Sequence, residues 1–225
     1  MTKEEFINTL GNLAVAESNR RIANGSKYVL PSVCIGQSAL ETGYGSSDLM
    51  TKANAFFGIK AGGSWTGKSF SAETKEVYNG VEHNVVANFR AYDSLADSVA
   101  DYYDLIINAS RYSRALSTFP NDIKTPYDTL YEIWSAGYAT DELYMEKTYP
   151  IISDNNLAQW DSKVDGKTFD PNYTWDGSSS GSGGSNHPII SFDYTVQDGN
   201  VIIFADPENI TLKLVTNKFE KIKQL

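Results

Sequence analysis

The chain opens with Thr2 and Glu5 at the spacing of a capping box, in which each side chain accepts the other residue's unpaired amide. Behind them Phe6, Ile7, Leu10, Leu13, Ala14 and Ile22 recur at three- and four-residue steps. That is the period of a helix with one face against a core, and it predicts a first helix ending near Gly25. A second helix is predicted from Pro31 to Thr42. Proline suits the first turn, where its missing N–H costs nothing, and a mostly apolar run follows. Gly43 and Gly45 stop it, because glycine accepts the left-handed backbone that ends a helix.

From Phe56 to Tyr92 glycine, aromatic and β-branched residues take over, predicting a small β-lobe with strands at 74–78 and 85–89. Asn79-Gly80 is the turn signal between them. Helical spacing returns at Ser94, whose hydroxyl with Asp97 makes a cap, and Leu95, Val99, Tyr102, Tyr103 and Ile106 line one face. Asp97, Asp101 and Asp104 are expected to be solvated on the opposite face. Residues 111–124 read as a loop with one short helix, and Thr125-Pro126-Tyr127-Asp128 as a helix start. Leu130, Ile133 and Trp134 give that helix its apolar face, and Tyr131 and Trp134 are expected in the core. Another helix is predicted from Asp141. Pro150 either kinks it or begins a new one.

Composition shifts after Trp160. Residues 177–186, GSSSGSGGSN, have flexible-linker chemistry. β-like runs follow at 189–196, 201–205, 210–215 and 219–222, with Asp198-Gly199 as a hairpin signal. The expected organisation is therefore a catalytic-size domain over residues 1–160, a linker over 161–188 and a small β-rich unit over 189–225. That last unit is short for independent stability, and packing on the first domain, self-association and the start of a separate binding module are all open to it.

Helices, a short β-lobe, then helices again is an α+β order with a cleft between the lobes. In it Glu41 sits in the last turn of an apolar helix, where the dipole disfavours negative charge and apolar surroundings raise a carboxyl pKa. A carboxyl still protonated near neutral pH is what a glycosidase needs as general acid. The same local pattern also suits a solvated glutamate at a frayed helix end.

The net charge of −9 and pI near 4.7 argue against nucleic acid, whose binders carry a basic footprint. The single cysteine, Cys34, lies in the apolar run before Glu41 and is expected to be a buried structural thiol. His83 has no second histidine at ligand spacing, so neither a metal nor a cofactor is expected. No apolar run reaches membrane-span length and the first residues carry no secretory pattern. The expectation from these features is a chain made in the cytoplasm with no Sec-type route out.

One set of motifs goes further. Leu40-Glu41-Thr42-Gly43-Tyr44-Gly45, Asn54-Ala55-Phe56-Phe57-Gly58-Ile59-Lys60, Trp65-Thr66-Gly67, Thr74-Lys75-Glu76-Val77-Tyr78-Asn79-Gly80, Phe89-Arg90-Ala91-Tyr92-Asp93-Ser94 and Ala136-Gly137-Tyr138-Ala139-Thr140-Asp141 occur in that order. Together they resemble the peptidoglycan-hydrolysing endo-β-N-acetylglucosaminidase family of autolysins, flagellar hydrolases and phage lysins, over residues 1–160.

The resemblance implies a lysozyme-like fold with Glu41 as the acid. It implies Glu76 as the β-lobe carboxylate, with Glu73 as a rival on the opposite strand face. It matches Tyr138 to a tyrosine beside the acid, and Asn54 and Phe57 to the cleft floor. Tyr44 and Trp65, with Tyr92 and Tyr103, are candidate surfaces for stacking sugars, or else core. Whether Glu76 activates an inverting water or assists an N-acetyl nucleophile on the substrate is open.

The implied reaction is hydrolysis of the β-1,4 bond after N-acetylglucosamine in bacterial peptidoglycan, in a phage endolysin or tail-associated lysin. The alternatives are a muramidase or lytic transglycosylase of the same fold, or a non-catalytic wall-binding virion component.

Overall fold

The computed structural model describes residues 1–78, 81–166, 193–197 and 200–204, with side chains for all of these except 75–78, 81–82 and the last two segments. The chain divides into two compact units, Met1–Ser180 and Gly181–Leu225.

In the first unit the helices are α1 (Lys3–Ala23), α2 (Pro31–Thr42), α3 (Asp48–Ala53), α4 (Leu95–Asn108), α5 (Pro126–Ser135) and α6 (Tyr144–Asp154). Short 3-10 helices span Ser110–Ala115 and Leu157–Lys163. One hairpin, β1 (Ser69–Tyr78) with β2 (Val81–Arg90), makes the β-lobe. The fold is thus α+β and mainly helical, as the order of patterns predicts.

Local chemistry sets the starts of α1, α4 and α5 where the sequence placed them. Thr2 and Glu5 form the capping box of α1, and Ser94 with Asp97 forms that of α4. Thr125 caps α5 with Pro126 in its first turn. Helix α2 has no cap from its own flank. Its N-terminus is closed instead by Asp161, 129 residues away, which accepts from the Ser32 amide at 2.8 Å and the Ser32 hydroxyl at 2.7 Å. A carboxylate there meets the positive end of the helix dipole.

The core gathers around α2, which is buried along nearly its whole length between α1, α6 and the second 3-10 helix. Gly36 makes the α2–α6 approach feasible, since a Cβ there would lie 2.5 Å from Ile152 Cγ1. Cys34 is fully buried in this core.

Four details depart from the sequence expectations. The strands begin earlier and run longer than 74–78 and 85–89, because pairing from Ser69↔Arg90 to Tyr78↔Val81 extends the ladder through weakly patterned residues. Asn79 and Gly80, between the paired Tyr78 and Val81, lie outside the described residues. Pro150 lies inside a single helix, so no new helix begins there, and α6 starts at Tyr144 rather than Asp141. Asp141 instead accepts from the Leu143 amide at 3.0 Å and pairs with Lys147 at 2.5 Å.

Asp101 and Asp104 are also not simply solvated. Asp101 holds Arg90 at 2.8 Å, and Asp104 pairs with Arg21 at 2.7 Å. Partners from distant segments reach that helix face, which periodicity along α4 alone does not reveal. Finally, Tyr131 is 44% exposed and half-buried Trp134 only packs against the edge of the core. Tyr131 follows Leu130 by one residue, so it points about 100° away from the buried face.

In the second unit, β3 (Asp193–Gln197) pairs antiparallel with β4 (Asn200–Phe204), in register with the expected hairpin. The expected linker at 177–186 and the runs at 210–215 and 219–222 lie outside the described residues.

Candidate active site

Of the twelve residues of α2, ten are buried and only Leu40 and Glu41 are not. The helix then ends abruptly. Gly43, Tyr44 and Gly45 take φ values of 56°, 55° and 81° in succession, and Thr42 Oγ1 accepts from the Gly45 amide at 2.9 Å. This turn leads the chain away and leaves Glu41 facing outward from the last turn.

Glu41 is an exposed residue, yet enough protein crowds its carboxyl for desolvation to push the pKa up to about 7. Among the described residues it has no ion pair or hydrogen bond to favour ionisation. Reachable and still half protonated at neutral pH, it meets both requirements of a general acid.

Tyr138 lies beside it. Burial first, then the neighbouring Tyr144 and Glu41, hold the Tyr138 hydroxyl well above its ordinary pKa. It therefore stays a neutral donor, and it has no hydrogen-bond partner among the described residues. Gly137, at φ 86°, reverses the chain after α5 and delivers Tyr138 to this place. Its ring packs edge-on to Tyr102 at 6.4 Å and tilted against Tyr144 at 6.1 Å.

Sequence reasoning missed the layer behind. Gln37, fully buried one helical turn before Glu41, donates from Nε2 to the Tyr144 hydroxyl at 2.9 Å and accepts from the Tyr102 hydroxyl. A side-chain amide in an otherwise apolar helix needs partners on both ends. That was the available signal: a buried polar residue at i−4 from the acid.

The other expected site residues fall into different places. Phe57 is only 4% exposed and stacks on Tyr102 at 4.0 Å, so it supports the tyrosine layer from within. Asn54 adopts φ 50° at the end of α3, and its Nδ2 donates to the carbonyls of Tyr92 and Asp93 at 3.1 and 3.3 Å. Tyr44 is half-buried, edge-on to Phe6 with the Lys3 ammonium 4.9 Å from its ring.

Tyr103 is wholly buried and bonds Ser18, Ala14 and Val29, which removes it from the stacking candidates. Trp65 sits at the foot of the hairpin under the Arg90 guanidinium, 4.6 Å away, and beside Tyr92. It lines a shallow cavity of about 500 Å³ with Thr66, Lys68, Tyr92 and Asp93, to which neither Glu41 nor Tyr138 contributes. Glu76 lies in β1 opposite His83, seven residues up the ladder from Ser69. At about 3.3 Å per residue that is about 23 Å from the hairpin foot, and its side chain is outside the described set. Glu73, opposite Val86, is exposed. Among the described residues no group of three or more His, Cys, Asp or Glu could hold a metal ion.

Glu41, Tyr138 and the Gln37–Tyr102–Tyr144 layer thus form one cluster. Comparison with known proteins gives this cluster a context. The family profile described as mannosyl-glycoprotein endo-beta-N-acetylglucosaminidase matches residues 19–157. Exo-glucosaminidase LytG of Bacillus subtilis is 31% identical over 134 residues, 60% of this chain and 47% of that one. The peptidoglycan hydrolase FlgJ of Pseudomonas aeruginosa is 34% identical over 152 residues, 66% of this chain and 36% of that one. The chain therefore spans less than half the length of these curated relatives.

Among solved structures, the catalytic domain of the autolysin Auto from Listeria monocytogenes aligns with a TM-score of 0.58 at 31% identity, over 70% of this chain and 86% of that one. The glycoside hydrolase domain of Salmonella typhimurium FlgJ, C-terminally truncated, aligns at 0.53 and 27% identity, over 69% of this chain and 98% of that one. The fold is that of these lysozyme-like glycoside hydrolase domains, and the chain belongs to the glucosaminidase family.

Proposed function

We propose that the chain hydrolyses the β-1,4 bond after N-acetylglucosamine in bacterial peptidoglycan, with Glu41 as general acid. The observation that carries this reading is the state of Glu41: accessible, unpaired among the described residues, and raised to about 7 at the end of an otherwise buried helix. Its proton goes to the leaving glycosidic oxygen as the C–O bond breaks. The cation-like sugar that results needs a group on its other face. Glu76 on the hairpin acts there on the attacking water, while Tyr138, held neutral next to Glu41, donates a hydrogen bond to the substrate on the acid's side.

The test is a digest of purified peptidoglycan, reduced with borohydride and read by mass spectrometry, beside Glu41→Gln. Reduced N-acetylglucosamine ends that vanish in the variant are expected. Reduced muramic ends would overturn the bond assignment, anhydro ends would make the enzyme a transglycosylase, and retention on the wall without cleavage would leave a binding component.

Delivery by a phage, as an endolysin or tail-associated lysin, is a further proposal. It is supported by the Gly/Ser-rich stretch joining the lysozyme-like domain to a small β unit that would bind the wall or associate with itself. Detection of the protein in purified phage particles is the expected result. Its detection instead in the wall fraction of a phage-free bacterium would favour the autolysin role that the relatives' names suggest.

A further inference from the structure

A row of aromatic rings on the outer side of α5 takes no part in the cluster around Glu41. Tyr127, Tyr131 and Trp134 are spaced four and three residues apart and so share one helix face. Tyr127 is 49% and Tyr131 44% exposed. Their ring planes lie within 6° of parallel, with centroids 6.4 Å apart. Tyr149 from α6 packs edge-on against Tyr127 at 5.2 Å, and Trp134 closes on Tyr131 at 6.0 Å. Trp134 also donates its indole N–H to the Asp141 carbonyl at 3.0 Å. That bond fixes its ring and ties the row to the loop carrying Tyr138, four residues further on.

Exposed rings held in place by their neighbours have surrendered their rotamer freedom before any ligand arrives. Polar side chains flank the row, with Asp128 at the start of the helix and Glu132 paired to Arg114, while Leu130 and Ile133 face the core. An aliphatic protein-docking patch lacks that alternation of flat ring and polar rim. It suits a sugar, whose pyranose face of C–H bonds stacks on an aromatic ring while its hydroxyls meet polar groups at the edge. From Tyr127 to Trp134 the row runs about 10 Å, the span of a disaccharide.

We infer that the Tyr127–Tyr131–Trp134 row is a glycan-binding platform that holds the polysaccharide beside the cleavage site, an inference that rests on the function proposed above. It gives the catalytic domain a wall contact of its own, continuous with the Tyr138 loop.

The test uses the full chain carrying Glu41→Gln, so that bound wall is not digested. Retention on purified peptidoglycan is compared for Tyr127→Ala/Tyr131→Ala and Tyr127→Phe/Tyr131→Phe, with soluble chito-oligosaccharide as competitor and a thermal melt of each. Losing two stacked rings is expected to weaken retention about five- to tenfold. The phenylalanine pair is expected to bind as the parent does, and the oligosaccharide to compete with both. If the alanine pair melts early, Tyr131→Ala alone replaces it, because Tyr149 packs on Tyr127.

Unchanged retention in the alanine variants, loss of retention in the phenylalanine pair equal to that in the alanine pair, or failure of the oligosaccharide to compete would each overturn the platform. An unmutated chain that releases no fragments would sink the proposed function and leave the retention result standing. Normal cleavage with unchanged retention would sink the platform alone.

Discussion

Helix α2 and the β1–β2 hairpin carry the two carboxylates proposed for the reaction, and they are built in opposite ways. Helix α2 is surrounded, capped by a carboxylate from the far end of the domain, and packed so closely on α6 that a glycine is required at the crossing. Among its described residues the hairpin enters the core only at its foot, where Phe89 is buried and Arg90 is held by Asp101 and the Trp65 ring. Above that, Val86 is 71% exposed. A two-stranded ribbon without a covering layer is marginal by itself, so its position is set by the foot. The acid is thus fixed by packing, whereas the opposing group rides on an arm anchored at one end.

The largest effect expected from this contrast is at Glu41. Removing a general acid costs about 10²–10⁴ in rate, so Glu41→Gln should abolish measurable digestion while the fold persists. In the unmutated chain kcat/KM should fall as pH rises through about 7, where the acid loses its proton. The sign for stability follows from the same shift. The carboxyl ionises near 4.5 when unfolded and near 7 when folded, so the folded state loses stability as pH rises across that window. Glu41→Gln removes that loss. Its melting temperature should exceed that of the parent above pH 7 and match it below about 4.5, by a modest margin because solvent screens the exposed carboxyl. A variant melting lower at pH 8 would break this account.

Next in size is the helix crossing. Gly36→Val should cost about 1–3 kcal/mol in urea unfolding, since Ile152 has to move. Activity should fall along with the folded fraction.

The hairpin foot should behave differently. Arg90→Ala releases the Trp65 ring and Asp101, leaving Asp101 with the hydrogen bond it accepts from the Tyr92 hydroxyl. It should cost about 1–2 kcal/mol of stability but lower activity on peptidoglycan by more than the melt predicts. Equal losses in the two measurements would show that the foot only stabilises and does not aim the arm. The smallest effect is expected at Val86→Thr, within about 0.5 kcal/mol in unfolding because the side chain has almost no contacts to lose. A larger loss would mean that the arm packs against something.

Local chemistry made the acid legible and left its surroundings obscure. Capping pairs such as Thr2–Glu5 and Ser94–Asp97 act within one turn, and amphipathic spacing within one helix, so the sequence by itself determined the starts of α1, α2, α4 and α5, the apolar run of α2 and the outward glutamate at its end. The ordered motifs determined the family.

Tertiary structure decided what depends on segments far apart in the chain. Asp161 closes α2 from 129 residues away, Arg90 claims Asp101, and Gln37 joins Tyr102 to Tyr144 behind the acid. It also placed Phe57 and Tyr103 in the interior and left Tyr131 outside. An aromatic side chain has no fixed preference between core and surface until its neighbours are known. For that reason periodicity misjudged Tyr131, while the glycine-terminated helix that presents Glu41 was readable from its own residues.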